Sequence, residues 1–337
     1  MKKVAIGLLL AGLTGLPVLA NDSSAELATG GLIFVKNDDI EMRSEDLYVS
    51  PDAIKVNYRF FNKSSRDVTV RVAFPLPLLE ISEQDQNISV PTEDPVNFLG
   101  FTTSVNGKRV AMQVEQRVTA KGVDHTALLQ SLKVPLSPQL AATNRALDLL
   151  PKDKWDELVG LGLAEVEEYD AGKGMERHLA ARWGVQTTFH WEQTFPAKRE
   201  VAIEHRYKPS VGGSVQTAVG AEFAKGEPWM DDFKRKYCID QDFLSAVERA
   251  RQAAKATNPP FNEQRIDYIL ATGANWSGPI KSFRLVVDKG RADRLVSFCG
   301  EGVKKISPTQ FEVRKTDFTP KGNLAVLILQ RMPPPDR

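Results

Sequence analysis

The chain of 337 residues has little of what catalytic and metal-binding proteins display. It has two cysteines, Cys238 and Cys299, and four histidines. No CxxC, HExxH or Cys/His pattern with ligand spacing surrounds them, so no metal site is expected. A phosphate-cradling glycine loop, a G-x-S-x-G elbow and a dinucleotide fingerprint are missing too. The expectation is therefore no cofactor and no common nucleotide-dependent or hydrolytic enzyme. An excess of one charge is also lacking, since 44 Lys and Arg stand against 43 Asp and Glu. Without basic clusters there is no electrostatic footprint for nucleic acid, which binds chiefly through phosphate neutralisation. Finally, no long apolar run follows the first 20 residues, so no transmembrane anchor is expected in the mature chain.

What is present begins with "MKKVAIGLLLAGLTGLPVLAND". Lys2 and Lys3 precede an apolar run from Val4 to Leu16, then Pro17 and a small-residue pattern ending at Ala20. This reads as a secretory signal peptide, residues 1–20, cut after Ala20. The run is shorter than the roughly 20 residues a spanning helix needs, and polar "NDSSAE" follows it directly. The length that remains suffices for two cores.

Strand patterns dominate the first hundred mature residues. Ile54, Val56, Tyr58 and Phe60 alternate with polar residues, as do Val68, Val70, Val72 and Phe74, with "NKSSRD" between the two runs. The pattern predicts an antiparallel hairpin with one buried face. Asn106-Gly107 predicts a second hairpin, because the pair accepts the positive φ angles of a two-residue type I′ turn. Pairing Val105 with Lys108 aligns Phe101 with Met112 and Leu99 with Val114. A third hairpin is expected from "VQTTFHWEQTF" and "VAIEHRY", with Trp191 opposite His205 and Phe189 opposite Tyr207.

Between them, residues about 123–174 change to helical spacing. Ser137 is expected as an N-cap with Pro138 at the first helical position, and a further short helix carries Trp155, Leu158 and Val159. Downstream, residues about 240–254 form an amphipathic helix with Phe243, Val247, Ala250 and Ala254 on one side. "FRLVVD", "RLVSF", "QFEVR" and "LAVLIL" read as further strands.

Three groups of residues are candidates for chemistry. In an exported chain with an even cysteine count, Cys238 and Cys299 default to a disulfide, which would stabilise the fold by roughly 4 kcal/mol in the chain-entropy model. The alternative is a nucleophilic Cys299, whose following Gly300 and Gly302 would leave backbone N–H groups free, but no base is evident beside it. The third hairpin's register sets Glu192 opposite Glu204 and His190 opposite Arg206. Two carboxylates about 5 Å apart suit acid/base work or a weakly shared cation, while the plainer reading is a solvated polar face. Trp229 and Trp276 lie in turn-like contexts, "KGEPWMDD" and "GANWSGP", where exposure for binding is expected.

The stretches "NDSSAELATGGLIFVKNDDIEMRSEDLYVSP", "YRFFNKSSRDVTVRVAFPLP", "FHWEQTFPAKREVAIEHRYKPSVGG" and "LVSFCGEGVKKISPTQFEVRKTDFTP" resemble a family of exported bacterial proteins, the domain of unknown function 4424. The resemblance implies a periplasmic envelope protein and carries over no activity or catalytic residue.

The expected fold is mainly β. A β-sandwich-like domain spans 21–213 with the helical insertion at about 123–174, and a C-terminal β domain spans 214–337 with its packed helix. One continuous sandwich is the rival. The expected function is a non-catalytic periplasmic binding or assembly module whose partner is an envelope protein or glycan. An envelope hydrolase or transferase using Cys299 or the Glu192/Glu204 pair is the alternative, and a sheet edge offered to a client strand is a third reading.

Overall fold

The computed structural model describes residues 23–28, 31–80, 88–170, 172 and 174–332. The expected signal segment and its cut after Ala20 lie outside the described residues. The chain opens with β1 (Ser23–Ala28), β2 (Gly31–Val35), β3 (Ile40–Val49), β4 (Ile54–Asn62) and β5 (Val68–Pro75). Next come the short β6 (Leu79–Glu80) and β7 (Ile88–Ser89), then β8 (Thr102–Val105), β9 (Lys108–Arg109), β10 (Gln113–Ala120) and β11 (Val123–Asp124). Three helices follow, α1 (Thr126–Ser131), α2 (Ala141–Asp148) and α3 (Lys152–Leu161). Strands resume as β12 (Ala164–Asp170), β13 (Met175–Ala181), β14 (Gly184–Phe195), β15 (Glu200–Tyr207) and β16 (Val211–Ser214). Helices α4 (Trp229–Tyr237) and α5 (Gln241–Ala254) precede β17 (Phe261–Tyr268), β18 (Ile280–Asp288) and β19 (Leu295–Phe298). The chain closes with β20 (Lys304–Lys305), β21 (Gln310–Phe318) and β22 (Leu324–Arg331).

The fold is mainly β. One sheet runs β11-β10-β14-β5-β1-β2, with β6 also on β14, and a second runs β20-β21-β18-β3-β4-β15-β8-β9. A third runs β19-β22-β17-β16-β7, and β12 and β13 form a separate ribbon. The first two sheets face each other across aromatic contacts, with ring centroids of Phe101 and Phe189 4.5 Å apart and those of Phe74 and His205 4.8 Å apart. Parallel pairing of β3 with β18 crosses the boundary expected near residue 213, and one apolar cluster contains side chains from both sides of it.

Alternation places the side chains as expected, but two of the three hairpins do not form. Strands β4 and β5 belong to opposite sheets, and so do β14 and β15. Each connection is a corner that carries the chain from one sheet to the other, and the two corners brace one another. Buried Asn62 donates to the carbonyls of Arg66 and Phe195, both at 2.8 Å, and Asp67 accepts from the Ala197 N–H at 2.8 Å. The Asn62 bonds satisfy polar groups that a corner would otherwise bury unpaired, and the Asp67 bond ties the corners at the surface.

The Asn106-Gly107 turn forms with φ of 49° and 76°, and Val105 pairs with Lys108. The ladder then stops after Arg109, because β10 leaves for the other sheet and pairs with β14, so the continuations to Met112 and Val114 are not made. The helical segment is also shorter than expected: it ends at Leu161, and Ala164–Asp170 is a strand. Ser137 does not cap α2, which starts at Ala141; it is buried and donates to the Pro95 carbonyl at 2.8 Å. Helix α5 forms over the expected residues, with Asp240 accepting from the Phe243 N–H at 2.8 Å and Phe243, Val247 and Ala250 buried, while Ala254, expected on the same side, is exposed at the last turn, where the helix runs past the core.

Candidate functional site

Because β14 and β15 lie in different sheets, the expected cluster of His190, Glu192, Glu204 and Arg206 divides into two pairs on opposite outer surfaces. Trp191 and His205 do meet, with centroids 5.7 Å apart, but across the core and not across a hairpin. The polar neighbours of these residues in the strand point the other way, one pair outward from each sheet. Glu192 and Glu204 therefore cannot share a proton or a cation, and the acid/base reading of that pair is overturned.

On the first sheet Glu192 lies opposite Arg71 and meets its guanidinium at 3.3 Å. His190, two residues away on the same face, is only 5% exposed. Leu32 of β2 donates its N–H to Glu115 of β10 at 3.0 Å, so the N-terminal strands curl over this face. Among the described residues, His190 Nδ1 and Arg71 Nε are buried without a hydrogen-bond partner. Burial, aided by the Arg71 charge, holds the His190 imidazole below its ordinary pKa. This histidine is an enclosed side chain whose uncharged form is favoured.

The second sheet's outer face is organised differently. One registered row crosses it as Arg314, Arg284, Asp46, Asn57, Glu204, Ser104 and Arg109. In the next row Tyr48, Lys55, Arg206 and Thr102 lie side by side. An open groove of about 430 Å³ follows these two rows where Lys55, Asn57, Ser104, Arg109, Glu204 and Arg206 converge. Strand alternation exposes Lys55, Asn57, Arg109, Glu204 and Arg206 and leaves Ser104 half-buried, while Val56, Tyr58, Ile203 and His205 point into the core. Among the described residues, none of Lys55, Arg109, Arg206 and Glu204 has a salt-bridge partner within 4.0 Å. Sequence reasoning found Glu204 and Arg206 but missed Lys55, Asn57 and Arg109. The missing information was the pairing of β15 with β4 and β8.

The remaining candidates separate cleanly. Trp276 is fully buried, its ring 4.8 Å from Phe60, so the expectation of an exposed binding surface is wrong for this residue. Its loop folds onto the core because the indole adds a large apolar surface there. Trp229 is 36% exposed at the start of α4, edge-on to Phe233 at 6.2 Å. Beside it, α4, α5 and the loop from Ala218 border a cleft of about 550 Å³. Its charges are largely spent on local pairs such as Arg251–Glu248 at 2.7 Å and Lys234–Asp231 at 4.0 Å.

Cys238 and Cys299 are joined by a disulfide. Cys238 takes the left-handed conformation that ends α4, and Ser297 of β19 donates to the Tyr237 carbonyl at 2.9 Å, so the bond pins α4 to the third sheet. A sulfur held in this bond is no nucleophile, which overturns the Cys299 reading. Among the described residues, no group of three or more His, Cys, Asp or Glu side chains is placed to hold a metal ion, and no helix is long and apolar enough to cross a membrane.

The paired β core, its two bracing corners and the pinned helix define a multi-sheet β protein. The chain belongs to the family described as Domain of unknown function (DUF4424), whose pattern matches residues 20–327. Among solved structures it is similar to a candidate nutrient-binding protein of Legionella pneumophila, with 15% identity and a TM-score of 0.43, covering 92% of this chain and 70% of that one. No curated protein matches.

Proposed function

We propose that the protein is a non-catalytic binding module of the bacterial cell envelope, working in the periplasm after cleavage behind Ala20. The observation that carries the binding reading is the groove on the second sheet. Three cations and one carboxylate converge there without neutralising one another, and Lys55, Arg206 and Glu204 stand on strands whose backbones are held in ladders on both sides. Groups so placed are preorganised for a ligand. Export is supported by Lys2 and Lys3 before the apolar N-terminal run and by the disulfide, which persists in oxidising compartments.

The strand-donation variant of assembly is less well supported. Both edges of the second sheet are closed by two-residue strands of basic residues, Lys304–Lys305 and Lys108–Arg109, a pattern that discourages edge pairing.

Amine footprinting tests the reading. Acetylation of Lys55 should slow when the purified, oxidised protein is mixed with a periplasmic and cell-wall extract, while Lys281, paired with Asp317 at 2.8 Å on the same sheet, should react at an unchanged rate. Equal slowing of both, or of neither, would contradict a ligand site at the groove. N-terminal sequencing of the exported protein should begin at Asn21.

A further inference from the structure

We infer that the groove takes an acidic saccharide, a chain bearing uronate carboxylates, an inference that rests on the groove being the binding site. Lys55 and Arg206 lie directly opposite each other on neighbouring strands. Like charges so placed have Cβ atoms about 5 Å apart and destabilise the sheet. No carboxylate of the described residues pairs with either. A ligand carboxylate seated between them removes the repulsion and gains two charge-assisted hydrogen bonds.

The other groups narrow the ligand further. Glu204 lies in the adjoining row between Asn57 and Ser104. A carboxylate in that position repels a bare inorganic anion, yet it accepts hydrogen bonds from hydroxyls, as the Asn57 amide also does. A ligand that offers both an anion and several hydroxyls satisfies every group in the groove. An extended peptide is a poorer fit, because the backbones of β4 and β15 are paired on both sides and leave no main-chain groups for it. A neutral sugar fits poorly as well. Among the described residues no Phe, Tyr or Trp lines the groove to stack on a sugar ring, and the Tyr48 ring lies 5.3 Å from the Lys55 ammonium, already engaged with it.

The test is calorimetric titration of the full oxidised protein with trigalacturonate, with a neutral galactose trimer and with inorganic phosphate. Trigalacturonate should bind at least tenfold more tightly than either other probe. Lys55→Ala combined with Arg206→Ala should weaken it at least tenfold, and Glu204→Ala should weaken it while improving phosphate binding. All three positions are exposed, and a thermal midpoint no lower than that of the parent protein confirms folding of each variant. Equal affinity for phosphate, equal affinity for the neutral trimer, or insensitivity to the double substitution would each overturn the inference. Absence of trigalacturonate binding together with protection of Lys55 by the envelope extract would refute the ligand class and leave the binding module standing. Absence of both would remove the two together.

Discussion

On the outer face of the second sheet, Arg284 lies 3.1 Å from Asp46 and 2.8 Å from Glu312, and Arg314 meets Glu312 at 2.9 Å. Further along the same rows, Lys55, Arg206, Arg109 and Glu204 stand without such partners among the described residues. Position in the sheet does not cause the difference, because Arg59 and Glu200, at the other end of β4 and β15, pair at 2.8 Å. One alternating pattern therefore builds two surfaces. Where acids and bases match, the face neutralises itself and contributes to stability; where they do not, it carries a standing electrostatic cost and stays open to a partner.

The comparison is tested most strongly by Arg284→Ala. Loss of one guanidinium that serves two carboxylates leaves Asp46 and Glu312 without it, and should lower the stability measured by urea unfolding by about 1 kcal/mol. Lys55→Ala should change it by no more than about 0.5 kcal/mol, the usual range for an isolated surface position. Added salt should shrink the Arg284 effect, since that side chain is about a third exposed. Equal losses from the two variants would erase the contrast.

Acid makes a second, smaller test. Hydrogen bonds from Arg314 and then Arg284 hold the Glu312 carboxyl below its ordinary pKa. A carboxylate depressed in the folded state contributes stability that is fully present above its unfolded value of about 4.3 and is lost as pH falls through the folded value. The urea midpoint should therefore fall on acidification below about pH 4, and Glu312→Gln should make that fall shallower. An unchanged acid limb in the variant would mean that the matched half adds nothing through this group.

Much of the architecture was legible in the sequence, because alternation is a local property. Tyr58, Phe60, Val72, Phe74, Trp191 and Phe195 all face the core as the period of two requires. The Asn106-Gly107 turn was legible for the same reason, and the disulfide followed from export and cysteine parity. The choice of strand partners was not legible. A run of alternation, a polar turn and another run describes a hairpin and a sheet-switching corner equally well. Here the decision lies with Asn62 and Asp67, whose hydrogen bonds join two corners more than 100 residues apart in sequence. That one ambiguity accounts for the error over Glu192 and Glu204, and it hid Lys55 and Asn57 from the site. Helix α4 did leave a signal, since Met230, Phe233 and Tyr237 have i, i+3, i+7 spacing, but the charged run around them masks it.

The smallest expected effect separates the two halves most sharply, because it changes the sign of a charge without touching the core. Arg206→Glu replaces the repulsive pair with Lys55 by an attractive one in the same register. Cross-strand pairs of opposite charge contribute roughly 0.2–1 kcal/mol, so the thermal midpoint should rise slightly while uptake of an acidic ligand is lost. A stabler protein that no longer binds would show that the native charge at Arg206 is retained against stability. If the substitution instead lowers the midpoint, Arg206 is held by contacts within the fold, and the unmatched rows differ from the matched ones only in arrangement.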